Sequence, residues 1–300
     1  MKRVVRQAAV FLGLFLIVGL ARLPFGNYED DIVDSVKAYG KALGIFVEIG
    51  SADLQFPLNL DLAQVSLIFP TSELPVPFYV DALHLNPNLL SLLFLRSSLD
   101  ATATLYSGNL RSDIGYHFWG KTGSLTVDAE KLALDQHPVL SGFGISGTAN
   151  FEAKASFAEP EDKLQPLAID SCFLAIEITD GRYVGGHRLK GLLELPPAKD
   201  VHITAVAMTS ERTVTIKSTE VLSSLGSLHG SGSIVLSEAN QLKEVDLGLT
   251  IKLTNSGAEA FAAYLALAAG LPIDAPPRDW QVTILKQANQ RLPITNVKPL

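Results

Sequence analysis

What this sequence has least of is reactive chemistry. Cys172 is the only cysteine in 300 residues, so no internal disulfide can form. It falls in the alternating run 169–178, with no histidine or basic cluster nearby to activate a thiol, and reads as a small packed side chain. The six histidines, His84, His117, His137, His187, His202 and His229, are scattered singly. None forms the HxH or HExxH spacing that would hold a metal, and no GxSxG nucleophile elbow occurs. Carboxylates are numerous, but no pair stands where a pocket can be read from the chain. These absences leave no catalytic residue, no cofactor site and no metal site to nominate, and the chain is read as a non-enzyme. The tryptophans number two; Trp119 and Trp280 read as sheet-edge or rim residues.

Basic charge is also scarce. Lysine and arginine total 24 against 31 aspartate and glutamate, a formal net charge of -7. Lys2, Arg3, Arg6 and Arg22 sit in a leader without acids, so these four leave the remainder at -11. An acidic body excludes nucleic acid as a partner, and it disfavours broad adhesion to anionic headgroups. With 47% hydrophobic and 18% charged residues the chain is not a disordered one.

There is one long apolar run. Ala8 to Ala21, AAVFLGLFLIVGLA, follows a basic start and precedes Arg22-Leu-Pro-Phe25. It is short for a span of about 20 residues, though Arg22 can snorkel and lengthen it. Residues 1–26 are therefore read as an N-terminal membrane anchor, with Phe11, Leu14, Phe15, Leu16, Ile17 and Val18 at its centre. A cleaved signal is the alternative, since Gly19-Leu-Ala21 could serve as a cleavage site. Lysine and arginine before the span stay cytoplasmic, so the rest of the chain lies on the far side, the periplasm in a bacterium.

What is abundant is period-two alternation. In Glu244–Thr254, Val245, Leu247, Leu249, Ile251 and Leu253 alternate with Glu244, Asp246, Gly248, Thr250, Lys252 and Thr254. A strand turns successive side chains to opposite faces, so these five apolar residues form one face of a sheet and the others a wet face. The same pattern runs through Leu58–Phe69, Val80–Leu85, Leu99–Phe118, Leu125–Leu134, Ile145–Phe157, Leu174–Ile178, Val201–Lys217, Leu228–Leu236 and Trp280–Leu285. Asp180-Gly181 reads as a turn.

Helices are few. Asn27 caps a segment whose acids, Glu29 to Asp31, suit the positive end of a helix dipole, with Gly44 as its stop. Asn86-Pro87 starts a short apolar helix through Phe94, expected to cover one end of the sheet. Ser256-Gly-Ala-Glu259 has the spacing of a capping box and opens a helix with Phe261, Tyr264 and Leu265 on one face. Gly142-Phe-Gly-Ile-Ser-Gly147 matches GxGxxG, but an alternating strand follows where a dinucleotide site needs a helix, so its glycines serve a bulge or bend.

The fold expected is mainly β: one long, twisted, predominantly antiparallel sheet curled into a trough or partial barrel, with the N-terminal membrane helix and a few short covering helices. Residues 27–290 form a single periplasmic β domain, and 291–300 a loose C-terminal tail.

Several stretches carry a resemblance: Ser51-Ala-Asp-Leu-Gln-Phe-Pro-Leu-Asn-Leu60 continuing to Val65, DALHLNPNLLSLLF at Asp81–Phe94, LDATATLYSGNL at Leu99–Leu110, LHGSGSIVL at Leu228–Leu236, and EVDLGLTIKL with the helix after it. In this order they span nearly the whole chain. The chain resembles the type II secretion system protein N family, in its delta-proteobacterial-type variant, and more broadly AsmA-like and TamB-like envelope β proteins. The first resemblance implies a single-pass protein of the bacterial inner membrane, its bulk in the periplasm, contacting other secretion components. The second implies a β trough that handles lipid. The alternation also suits an apolar trough open to acyl chains, but the reading preferred is that the helices at Tyr28–Leu43 and Ser256–Ala269 cover that face, as the apolar side of a sheet usually is.

Overall fold

A computed structural model describes residues 29–300 apart from 43, 56–57, 70–75, 159–167, 187, 190–192, 195, 211, 238–241, 273–276, 289 and 291. The anchor residues Phe11, Leu14, Phe15, Leu16, Ile17 and Val18 lie outside the described residues. Among the described residues no helix is long and apolar enough to cross a membrane.

The chain is mainly β and antiparallel, and it divides into two compact units between Leu105 and Tyr106. The first begins with helix α1 (Glu29–Ala42), followed by β1 (Phe46–Gln55), β2 (Asn59–Phe69), β3 (Val76–Pro87), a 3₁₀ helix (Leu89–Phe94) and β4 (Arg96–Leu105). Its strands are neighbours in chain order, and β4 does not return to pair with β1. The core is Leu60, Leu62 and Val65, with Ile32 of α1 and Val47, Ile49, Leu54 and Leu83 packed against it. Glu29, Asp30 and Asp31 fill the first turn of α1, as the dipole favours. Gly44, at φ 74°, ends the helix region, its N–H donating to Lys41 O at 3.1 Å. Gly40 is where helix meets strand: a Cβ there would lie 2.5 Å from Val47 Cγ2.

The alternation of β2 changes phase after Leu62, and Gln64, at φ 53°, explains it. The packed residues step from Leu60 and Leu62 to Val65 and Leu67, and in the same place from Leu54 and Ala52 to Ile49, and from Leu85 and Leu83 to Val80. The register is unbroken, Leu62 facing Ala52 and Leu83, Val65 facing Ile49 and Val80. All three strands change phase together, so the apolar side chains stay on one core.

The second unit is a meander of ten strands: β5 (Gly108–His117), β6 (Thr122–Ala133), β7 (Ile145–Ala158), β8 (Ala168–Tyr183), β11 (Ala198–Ser210), β12 (Thr213–Ser223), β13 (Gly226–Leu236), β14 (Leu242–Leu253), β15 (Asp279–Lys286) and β16 (Ile294–Pro299). β9 (Arg188–Leu189) and β10 (Leu193–Glu194) form a separate small hairpin. β16 does not return to β5, so this sheet is open. Helix α2 (Pro138–Gly142) precedes β7, and α3 (255–268), whose middle turn Ala258–Ala262 is π, joins β14 to β15.

Bulges hold the apolar phase here. Ala129 faces Phe151 and Leu132 faces Ala149, three residues against two; the extra residue is taken up at Lys131, φ 58°, whose N–H donates to Asn150 Oδ1 at 2.8 Å. Asp180-Gly181 is no turn. Asp180, at φ 53°, is a bulge inside β8, and the strand continues to Tyr183. Gly144 and Gly147, at φ 65° and 135°, serve the bend into β7 and the same bulge.

Three further expectations are corrected. Residues 294–299 of the supposed loose tail are a strand, paired with β15 from Ile294–Leu285 to Pro299–Trp280. That extra strand makes β15 an interior strand, so Trp280 is no rim residue: it is fully buried, and its Nε1 donates to Pro277 O at 2.9 Å. Trp119 is 76% exposed. The cap of α3 is Thr254, whose Oγ1 accepts from Gly257 N at 3.2 Å, and not Ser256. β14 ends at Leu253, so the first free N–H groups fall two residues earlier than the Ser-x-x-Glu spacing implies.

Candidate functional site

The candidate site is the apolar face formed by the ten strands of the second unit. On β14, Val245 is buried and Leu247, Leu249, Ile251 and Leu253 are half-buried, while Glu244, Asp246, Gly248 and Lys252 are exposed. Thr250, on the polar side, is half-buried as well.

The registers join these residues into rows that cross the sheet. Leu249 faces Gly230 on one side and Val282 on the other. The same row continues through Thr219, Ala205, Ile176 and Phe151 to Ala129. A second row runs from Ile251 through Leu228, Val221, Ile203 and Ile178 to Ala149. Such rows, about 4.8 Å from strand to strand, form a continuous apolar surface. Cys172 lies on this face between Ala155 and Thr209, half-buried.

Cover is partial. Helix α3 lies over one end of β12–β14, where Phe261, Tyr264 and Leu265 face Val221, Leu228 and Ile251 across a cavity of about 370 Å³. A second cavity of about 280 Å³ is lined by Leu134, Ile145, Ile178, Tyr183, Val201 and Ile203. The two share one row, since Ile203 is the partner of Val221. Two rows away the face is more open: Leu174, paired with Ala153 and Ala207, is 37% exposed. At the far end the row of Val245 finishes on Lys286, a buried lysine whose Nζ donates to the carbonyls of Leu242 (2.8 Å) and Lys243 (2.9 Å). Its ammonium group is held by backbone oxygens.

The opposite face is polar and wet. Lys154 pairs with Glu152, and that hydrogen bond, helped by the charge of Glu152, raises its pKa above the usual lysine value. His229 lies 3.7 Å from Glu220 on the same side. In the first unit, His84 Nδ1 and Asp61 Oδ1 are 2.7 Å apart and exposed. Among the described residues no three histidine, cysteine, aspartate or glutamate side chains come together as a metal site.

The strands and the face of α3 were legible in the alternation. The cavities were not, because which strand ends lie under α3 depends on the turn at Leu225, and nothing in the local pattern of Val221 or Leu228 sets them apart from other alternating residues. The fold and face together define an open antiparallel β protein with an extended apolar surface. Comparisons with family models, with curated proteins and with solved structures found no match to this chain.

Proposed function

We propose that this chain is a non-enzymatic, inner-membrane-anchored component of the bacterial type II secretion apparatus, acting in the periplasm through protein–protein contact. The observation that carries the reading is the set of ordered stretches, from Ser51–Val65 through Asp81–Phe94, Leu99–Leu110 and Leu228–Leu236 to Glu244–Leu253, that resembles the type II secretion system protein N family. An open antiparallel meander with an extended apolar face is consistent with such a role, because it offers one long contact surface. The leader, with Phe11 to Val18 at its centre, holds the body at the inner membrane. The partners are other inner-membrane or periplasmic secretion components. The test is deletion of the gene with quantification of extracellular proteins against the parent strain. Secreted enzymes trapped in the periplasm are expected; unchanged secretion would overturn the reading.

The half-exposed apolar rows favour a second reading, a lipid-binding or lipid-transfer module. In it the sheet curls into a trough, and acyl chains lie along the row from Ala149 to Ile251. Six strands at about 4.8 Å spacing give a groove on the order of 24 Å, long enough for an extended chain, and the cavity volumes fall at or near the range of small-molecule sites, about 300–1,000 Å³. Native mass spectrometry of the purified protein tests it: a copurifying lipid is expected, and a lipid-free spectrum would overturn it.

A further inference from the structure

The short 3₁₀ helix Leu89–Phe94 does not cover an end of the sheet. It projects from the β3–β4 connection with Leu90 71% and Phe94 75% exposed, and with Leu92 and Leu95 at 49% and 45%. We propose that this tip is a second membrane contact, separate from the leader, which inserts into the interface of a bilayer.

Three observations point to a bilayer as the occupant. First, a 3₁₀ helix turns 120° per residue, so Leu90, Leu92 and Phe94 point in three different directions around its axis. A protein groove meets one side of such a knob, whereas fluid hydrocarbon surrounds it. Second, from Leu85 to Leu95 no side chain carries a charge. Third, the Ser91 hydroxyl and several backbone N–H groups of the tip are tied inward, while Asn88, exposed and without a side-chain cap hydrogen bond, stands at its base. Ser91 N donates to Asn88 O (3.1 Å), Leu95 N to Leu92 O (3.0 Å) and Asn88 N to Ser98 O (2.9 Å). The Ser91 hydroxyl is shared between the carbonyls of Asn88 (2.6 Å) and Arg96 (3.0 Å). A tip entering a low-dielectric layer needs this closure, because an unsatisfied polar group there is costly. Leu95 adopts the left-handed conformation, φ 56°, to bring the chain back into β4. At about 2 Å rise per residue the helix is on the order of 12 Å long, enough to reach the headgroup–acyl boundary and too short to cross about 30 Å of hydrocarbon.

The full-length chain, reconstituted in phosphatidylcholine vesicles, supplies the test. A Phe94→Cys, Cys172→Ala variant carries a polarity-sensitive fluorophore at 94, and a Ser51→Cys, Cys172→Ala variant carries the same label at an exposed strand position. Circular dichroism confirms that both are folded. Emission from position 94 is expected to shift to the blue and to fall by at least half when the lipids carry brominated acyl chains, unchanged by high salt, while position 51 stays unaffected. A label at 94 quenched by aqueous iodide as fully as the one at 51 would overturn the proposal. So would a label shielded from iodide but untouched by brominated lipid, which would mean that protein covers the tip.

Discussion

Gly257→Ala sets two forces of opposite sign against each other. Gly257 is the third residue of α3, and in an isolated helix replacing glycine by alanine stabilises by about 1 kcal/mol. Here it is buried where the helix sits on the β12–β13 turn, and a Cβ would overlap the carbonyl oxygen of Leu225. That oxygen cannot withdraw freely, because it accepts from Thr254 N at 3.1 Å, while Thr254 Oγ1 donates to Ser224 O at 2.8 Å. Room for the methyl comes only by lifting the helix start from the turn. Overpacking costs about 1–3 kcal/mol and the loss of one or two hydrogen bonds about 1 kcal/mol each. After the gain in propensity, a net destabilisation of about 1–4 kcal/mol is expected, and the cavity beneath Phe261 and Leu265 opens. Urea unfolding measures it as a lowered midpoint at constant slope. Gly248→Ala on the exposed side of β14, where nothing lies within 4 Å of a new Cβ, is the control and should change stability by less than about 1 kcal/mol. A Gly257→Ala protein as stable as the parent, or more so, would refute the docking of α3 on Leu225.

Leu249→Asp should destabilise by about 2–4 kcal/mol through lost apolar burial and a charge on the apolar face, and Lys252→Asp by less than about 0.5 kcal/mol; equal midpoints in urea would show the faces to be misassigned. Gly40→Ala should lower stability by about 1–3 kcal/mol despite its better helix propensity, since Val47 fills the space a methyl needs; thermal melts of the two proteins check it. His137, whose ring packs at a tilt against Tyr106 with ring centres 5.3 Å apart, has its pKa lowered from the usual 6.5 by burial. The folded state thus prefers the neutral ring. The stability this gives is present in full above about 6.5 and lost as pH falls below that value towards the folded-state pKa. His137→Phe should flatten the stability profile in that window, and an unchanged slope would refute the assignment.

Alternation alone establishes the β class, the antiparallel order and the apolar side of each uninterrupted run. Side-chain direction in a strand is local: Val245 to Leu253 share a face wherever the strand is placed, and short turns make sequence neighbours into sheet neighbours. The phase breaks at Leu62–Val65 and Ala129–Leu132 are not read from the sequence: the alternation is carried straight through Leu58–Phe69 and Leu125–Leu134, and the left-handed residues that shift it, Gln64 and Lys131, need the backbone. Tertiary structure decided what covers what. Trp280 is buried because Ile294–Pro299 forms one more strand beside it, a pairing that depends on a segment with little alternation of its own. Leu90 and Phe94 have the same local pattern as a covering helix, yet they point outwards because the left-handed Leu95 and the β3–β4 pairing aim the tip away from the sheet. Burial is a property of the partner as much as of the residue, and the partners of Trp280, Leu249 and Phe94 are set by chain far from each of them in sequence, or by nothing in the described residues at all.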